Sequence, residues 1–250
     1  MTTMTKMAPQ NHSHKNDTYK VLSIDLDYIC EPYIELYSDL PNQILVDKQW
    51  DVVFSQNKYG SNNFDINPDN LLFCIDAFSR ALMNCSNVAF GMTHDTILYE
   101  LEGKNNIDLF NIDHHHDVAY SDEAEHELVQ WDIVYENNWV EYLNIHHRLA
   151  SYVWIKNENS EDIMCQYKEM NQGYWYLKND VPAPIFNDLI FVCLSPTYTP
   201  KFHWFYFRIF INLFKAFYPD QKIRMHDKRY KNNPMNNPMR GNEEFLADLT

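Results

Sequence analysis

110-FNIDHHHDVAY-120 ends an apolar run, from Leu109 through Ile112, in alternating acids and imidazoles: Asp113, His115 and Asp117. 21-VLSIDLDYI-29 repeats the arrangement near the start of the chain, with Asp25 and Asp27 closing a second apolar run. Apolar runs that end in ligand-type residues are how buried parallel strands deliver side chains to the rim of an α/β sheet. On extended backbone, residues two apart leave the same face, about 6.6 Å from each other. His114 and His116 then point to the opposite face, where they can orient ligands, touch substrate or lie in solvent. Carboxylates with one or two imidazoles suit hard to borderline divalent ions such as manganese better than the thiolate-rich sets of structural zinc.

A third element, 88-VAFGMTHDTILYEL-101, starts as a short strand and places His94 at a strand-to-helix junction. The reading expects Asp95 as the cap of a helix beginning at Thr96. His94 then supplies a second imidazole at the same sheet edge.

These residues resemble the arginase and ureohydrolase superfamily, and most closely the peptide arginases of ribosomal natural-product pathways, a compact, circularly permuted branch. The resemblance rests on a D-x-H-x-D motif at Asp113, His115 and Asp117, an S-x-D-x-D motif at Ser23, Asp25 and Asp27, and a strand-end histidine at His94. It is concentrated in residues 20 to 140. Gly91-Met92-Thr93-His94 stands where the family carries Gly-Gly-Asp-His, and the Asp-Pro that usually follows the second aspartate pair is absent. Both departures point away from an ordinary free-arginine enzyme.

The resemblance implies two manganese ions, one held by His94, Asp113, Asp117 and Asp25 and the other by His115, Asp113, Asp25 and Asp27, with Asp113 and Asp25 bridging. It implies hydrolysis of arginine side chains to ornithine and urea, in a precursor peptide that presents its leader to the enzyme. Proton handling falls to His126 or His116, and Glu31 is the candidate acid for the guanidinium, whose five donors need acceptors. Competing readings are a hydrolase of agmatine or free arginine, a zinc-dependent deacetylase, and a noncatalytic peptide-binding module.

Composition bounds the remaining choices. The chain has 250 residues, 45% of them hydrophobic and 15% aromatic, enough for one substantial core. With five glycines and neither a phosphate-binding G-x-x-x-x-G-K-[ST] nor a G-x-G-x-x-G run, no nucleotide site is implied. A net charge of −15 disfavours nucleic acid and suits a cationic substrate. The five cysteines, at 30, 74, 85, 165 and 193, are an odd number without C-x-x-C spacing, which fits reduced thiols and a cytoplasmic setting. No run is long and apolar enough to predict a membrane span.

The expected architecture is a single α/β domain over 19–220, with a mostly parallel sheet flanked by helices, arginase- or deacetylase-like and permuted. A flexible arm over 1–18 precedes it and a polar, partly mobile tail over 221–250 follows. Strands are expected at 20–25, 88–91, 108–113, 151–164 and 188–196, with a polar turn or hairpin region between the last two, and helices at 71–83 and 203–217. One or two short strands are expected in 43–54 and a long loop over 55–70. The segment 132–147 starts strand-like, with Trp139 either packing on a substrate's aliphatic stem or filling the core.

Overall fold

A computed structural model describes residues 18–31, 48–52, 65–118, 122–160, 173–178 and 188–231. Residues 1–17 of the expected arm and 232–250 of the expected tail lie outside the described residues.

β1 (Tyr19–Asp25) is the middle strand of a seven-stranded sheet. Its neighbours are β5 (Ile107–Asp113) and β8 (Leu189–Cys193), both parallel to it. β4 (Val88–Gly91) lies beyond β8, and β9 (Met225–His226) forms that edge. Beyond β5 come β6 (Leu149–Lys156) and β7 (Gly173–Leu177). Every pairing in this sheet is parallel. A two-residue antiparallel pair, β2 (Cys30–Glu31) with β3 (Asp65–Ile66), stands apart from it.

Period-two alternation sorts the strand side chains between two apolar layers. On β8, Leu189, Phe191 and Cys193 enter one layer while Ile190 and Val192 enter the other. The first layer also takes α2 (Ile97–Glu100), α3 (Asp122–Trp131) and α4 (Trp139–Ile145), through Ile97, Leu98, Leu128, Trp139, Val140 and Leu143. The second takes α1 (Pro68–Leu82) and α5 (Trp204–Phe217), through Phe78, Leu82, Phe207, Phe210 and Phe214. This is a single α/β domain with helices on both faces of the sheet. α1 starts where Asn67 accepts hydrogen bonds from the Asp69 and Asn70 amides, with Pro68 at its first position, where a missing N–H costs nothing.

Several expectations need correction. Residues 48–52 are helical, where a strand was expected, and Trp50 is buried there with its indole N–H on the Pro196 carbonyl. The expected loop over 55–70 contains β3 and the first turn of α1 at its end. No strand forms at the start of 132–147; the crossover from β5 to β6 is helical, through α3 and α4. β6 and β8 do not form a hairpin, because β7 lies beside β6 and β8 returns to the centre of the sheet. The first residues of the expected tail are built into the domain: β9 pairs with β4, and Tyr230 is buried with its amide on Asp95 Oδ2. That bond also corrects Asp95, which caps no helix; Thr93 holds the N-cap position of the turn His94–Thr96.

Candidate metal centre

The strand register brings the expected ligands to one rim. Ile24 is level with Ile112, so Asp25 and Asp113 leave adjacent strands together; Asp25 is also level with Cys193, and Cys193 with Gly91. In open parallel sheets this carboxyl edge is where ligands bind. His94 arrives from β4, two strands from β1, through a tight turn that needs Gly91. A Cβ at that position would overlap Thr96 Oγ1 and the Phe191 ring.

His94 Nδ1 lies 3.1 Å from Asp25 Oδ2, 3.0 Å from Asp113 Oδ2 and 3.0 Å from Asp117 Oδ2. His115 Nδ1 lies 2.9 Å from Asp27 Oδ2 and 3.8 Å from Asp113 Oδ1. Asp113 therefore turns one oxygen to each imidazole, and two groups able to hold an ion meet on it: Asp25, His94 and Asp113, and Asp27, Asp113 and His115. Asp25 has a different second duty. Its Oδ1 accepts the Asp27 amide at 3.2 Å, capping the turn Leu26–Ile29, while Oδ2 faces His94.

One ring N–H cannot serve three carboxylates at about 3 Å. Ligand atoms held at right angles about 2.1 Å from a small divalent ion stand about 3.0 Å apart. The His94 group has that spacing, an all-oxygen-and-imidazole donor set and almost no solvent exposure. The residues fit a pair of hard to borderline cations, and the arrangement suggests a metal-dependent hydrolase.

Neighbours on the same layer aim these side chains. Ser23 Oγ is 2.7 Å from His94 Nε2, which leaves Nδ1 to face the carboxylates. Asn111 donates from Nδ2 to Asp113 Oδ2 at 3.0 Å, and the His115 amide donates to Asp113 Oδ1 at 2.8 Å. Ser195 donates to Asp25 Oδ2 at 2.5 Å, and the Trp139 indole donates to Asp117 Oδ2 at 2.6 Å. Asp117 and Ser195 both hold left-handed backbone, φ 52° and 46°. Such conformations persist in non-glycine residues only where their surroundings over-determine them. At Asp117 the twist ends the extended run that begins at β5 and brings the third motif residue back towards His94.

The packed acids and bases shift one another. Burial and the charges of Asp25 and Asp113 raise Asp27. Burial and Asp113 raise Asp117 to about 7. Burial also works against ionised Asp113, but the hydrogen bond and charge of His94, with His115 beside it, hold that carboxyl below the usual range. Burial would lower His94, and its contacts with Asp113, Asp117 and Asp25 overcome this and raise it. His115 is raised to about 10 in the same way, chiefly by Asp27.

Of the residues expected to handle protons or substrate, His126 and Glu31 make their contacts among the described residues elsewhere, while His116 lies beside His115. His126 is exposed on α3, its ring 5.6 Å from Trp131. Glu31 accepts from Asn67 Nδ2 at 2.8 Å, beside the start of α1. His116 is buried, accepts the Val118 amide on Nδ1 at 3.1 Å and meets Trp154 edge-on; burial and the His115 charge lower it to about 4. His116 is thus a neutral imidazole that shapes the loop after β5. Trp139 is in the core, which removes it from any wall facing a substrate.

Sequence reasoning missed Ser195, Asn111 and the partner of Trp139. Asn111 carried a signal: a lone amide inside 107-IDLFNID-113, in a strand otherwise read as buried, needs a partner. Tyr198, on the loop after β8, is another such residue, with its ring 4.6 Å from that of His115.

Comparison with protein-family models, curated proteins and solved structures returns no match for the chain. The four cysteines among the described residues are buried and free of disulfides. Among those residues, no helix is long and apolar enough to cross a membrane.

Proposed function

We propose that the protein is a peptide arginase, a manganese-dependent hydrolase that converts arginine side chains of a ribosomal precursor peptide to ornithine with release of urea. The observation that carries this reading is the meeting of two His/Asp groups on the two oxygens of Asp113. The D-x-H-x-D and S-x-D-x-D motifs, together with His94 at the end of β4, supply both groups. The strands of the two motifs, β1 and β5, lie side by side in the sheet. Two divalent ions, if held by these groups, would lower the pKa of a water and stabilise the charge that develops on attack.

The residues of the chain do the rest. His94, Asp25, Asp113 and Asp117 form the closed inner half, with Ser23, Asn111 and Trp139 holding their orientation. The outer half is more open: the His115 side chain is 17% exposed against 2% for His94. A long arginine side chain would reach the centre from that side, past Tyr198. Within a peptide, the α-amino and α-carboxyl groups of arginine are amides, so recognition outside the centre falls to backbone contacts. The precursor's leader would raise the local concentration of the arginines to be processed. The buried free thiols favour a reducing, cytoplasmic setting.

The test incubates manganese-loaded protein with an arginine-containing precursor peptide and, separately, with free arginine, with Asp113→Ala as control. Conversion of peptide arginine to ornithine with one urea per event, absent from the control, is expected. Turnover of free arginine alone would make the protein an ordinary arginase. No urea from either substrate, with metal loading verified, would sink the arginase reading and direct attention to acetyl-lysine substrates.

A further inference from the structure

The first turn of α4 grips Asp117 twice, and we infer that Trp139 is a positioning residue that sets the metal affinity of the His94 half of the centre. The indole Nε1 donates to Asp117 Oδ2 at 2.6 Å, and that same oxygen is 3.0 Å from His94 Nδ1. The next residue in the chain donates its amide, Val140 N, to the Asp117 carbonyl at 3.0 Å. Side chain and backbone of Asp117 are therefore fixed by consecutive residues of one helix. The indole ring also packs on the His94 imidazole, with centroids 4.7 Å apart and planes tilted by 42°. Trp139 thus touches both partners of the Asp117–His94 contact while remaining fully buried.

The chemistry of the donor explains the choice. An indole N–H is neutral and donates only, so it holds the carboxylate without competing with a cation for its charge. Lysine or arginine at this position would neutralise Asp117 and repel a divalent ion. Asp117 also sits in the left-handed region at φ 52°, which aspartate adopts more readily than most residues but still at a cost, so a restraint helps to hold it there. The grip of α4 supplies that restraint. Besides the His94 imidazole, the indole is the donor that meets the Asp117 carboxylate among the described residues, so it orients that carboxylate toward His94.

The inference rests on the metal-dependent reading of the site, and metal binding tests it without turnover. Manganese chloride and cobalt chloride are titrated into chelator-treated wild type and Trp139→Phe, which keeps an aromatic ring and removes the N–H. Affinity is read by calorimetry, ion content by elemental analysis, and ligand geometry by the visible absorption of bound cobalt. Wild type should take up two ions. Trp139→Phe should bind one of them about 10- to 100-fold more weakly, with an altered cobalt spectrum. In an Asp117→Asn background the same change should add little, because the two residues act as one unit.

A residue that merely filled space would lower the melting temperature of the metal-free protein and leave the affinity and cobalt spectrum of the folded fraction unchanged. That result overturns the inference. Val140→Pro is the second variant: proline is tolerated in a first helical turn and removes the amide half of the grip, but it also replaces a buried side chain and restricts Trp139, so its melting temperature is read beside its metal affinity. It should weaken the same ion, and unchanged binding in that variant would equally count against the inference. Wild type that takes up no divalent ion overturns the metal reading itself, before any variant is compared.

Discussion

Ser23 and Asn111 are register partners on neighbouring parallel strands, and each hydrogen-bonds to a different member of the centre, Ser23 to His94 and Asn111 to Asp113. Both sit one pleat below a carboxylate, in strands otherwise lined with apolar side chains. A buried polar group without a partner is costly, so these two are retained for what they hold in place. They form a polar layer between the apolar core and the acids of the rim.

Ser23→Ala should weaken metal binding by about 10- to 100-fold, because His94 loses the contact that fixes its ring and its tautomer. The fold should survive, since alanine fits the buried position. Calorimetric titration with manganese checks this, and wild-type affinity in Ser23→Ala would mean that packing alone orients His94.

Gly91→Ala should destabilise the protein by about 1–3 kcal/mol, the usual range for an overpacked core. The added methyl meets Thr96 Oγ1, itself bonded to the Thr93 carbonyl at 2.5 Å, and the buried Phe191 ring. Relief must come from the turn that carries His94, so metal affinity should fall together with stability. Denaturant unfolding and metal titration of the same preparation test both. Loss of stability with intact metal binding would show that the turn moves as a rigid unit.

His126→Ala should retain activity within about twofold of wild type, as expected of an exposed side chain whose ring contact is with Trp131 on its own helix. A loss of a hundredfold or more in kcat, with metal content unchanged, would return His126 to the reaction as a proton carrier.

The metal-type residues were legible because ligand chemistry is written locally. Asp113, His115 and Asp117, and Asp25 with Asp27, fall within a few positions of one another at the ends of apolar runs, and His94 follows a strand of its own. Their supports are not local: Ser195 is 170 residues from Asp25, Ser23 is 71 from His94, and Trp139 is 22 from Asp117. A lone serine or tryptophan has no pattern that names its partner; only the strand order brings the two together. The strands β1, β4, β5 and β8 followed from apolar runs in the same way, whereas 132–135 shares the apolar residues of a strand but leads into a helix. The left-handed turn at Asp117 was hidden for another reason, since it is the surrounding contacts, more than the residue type, that hold an aspartate there.

Asp117 binds its proton more tightly in the folded protein than in the unfolded chain, because burial and the Asp113 charge raise its pKa from 3.8 to about 7. A group raised in this way stabilises the fold fully below its unfolded pKa, and the contribution is lost as pH rises through the folded value. His115 has the same sign. Burial pulls it down, but Asp27 and Asp113 carry it from 6.5 to about 10, so its contribution is present below 6.5 and lost towards 10. Asp113 runs the other way: held low by His94 despite burial, it contributes above 3.8 and is lost only on acidification below that value. Chelator-treated protein should therefore lose stability as pH rises from 4 to 7, the window set by Asp117, and further towards 10, the window set by His115. Asp117→Asn isolates the first window. It should melt close to wild type near pH 4 and above it near pH 8, after the Asp117 proton has gone. Saturating manganese should reverse that order at pH 8, because bound cations favour the ionised carboxylate and the variant has lost a ligand. Melting curves at several pH values, with and without manganese, test both statements, and a difference between variant and wild type that does not change with pH would show that Asp117 is ionised throughout.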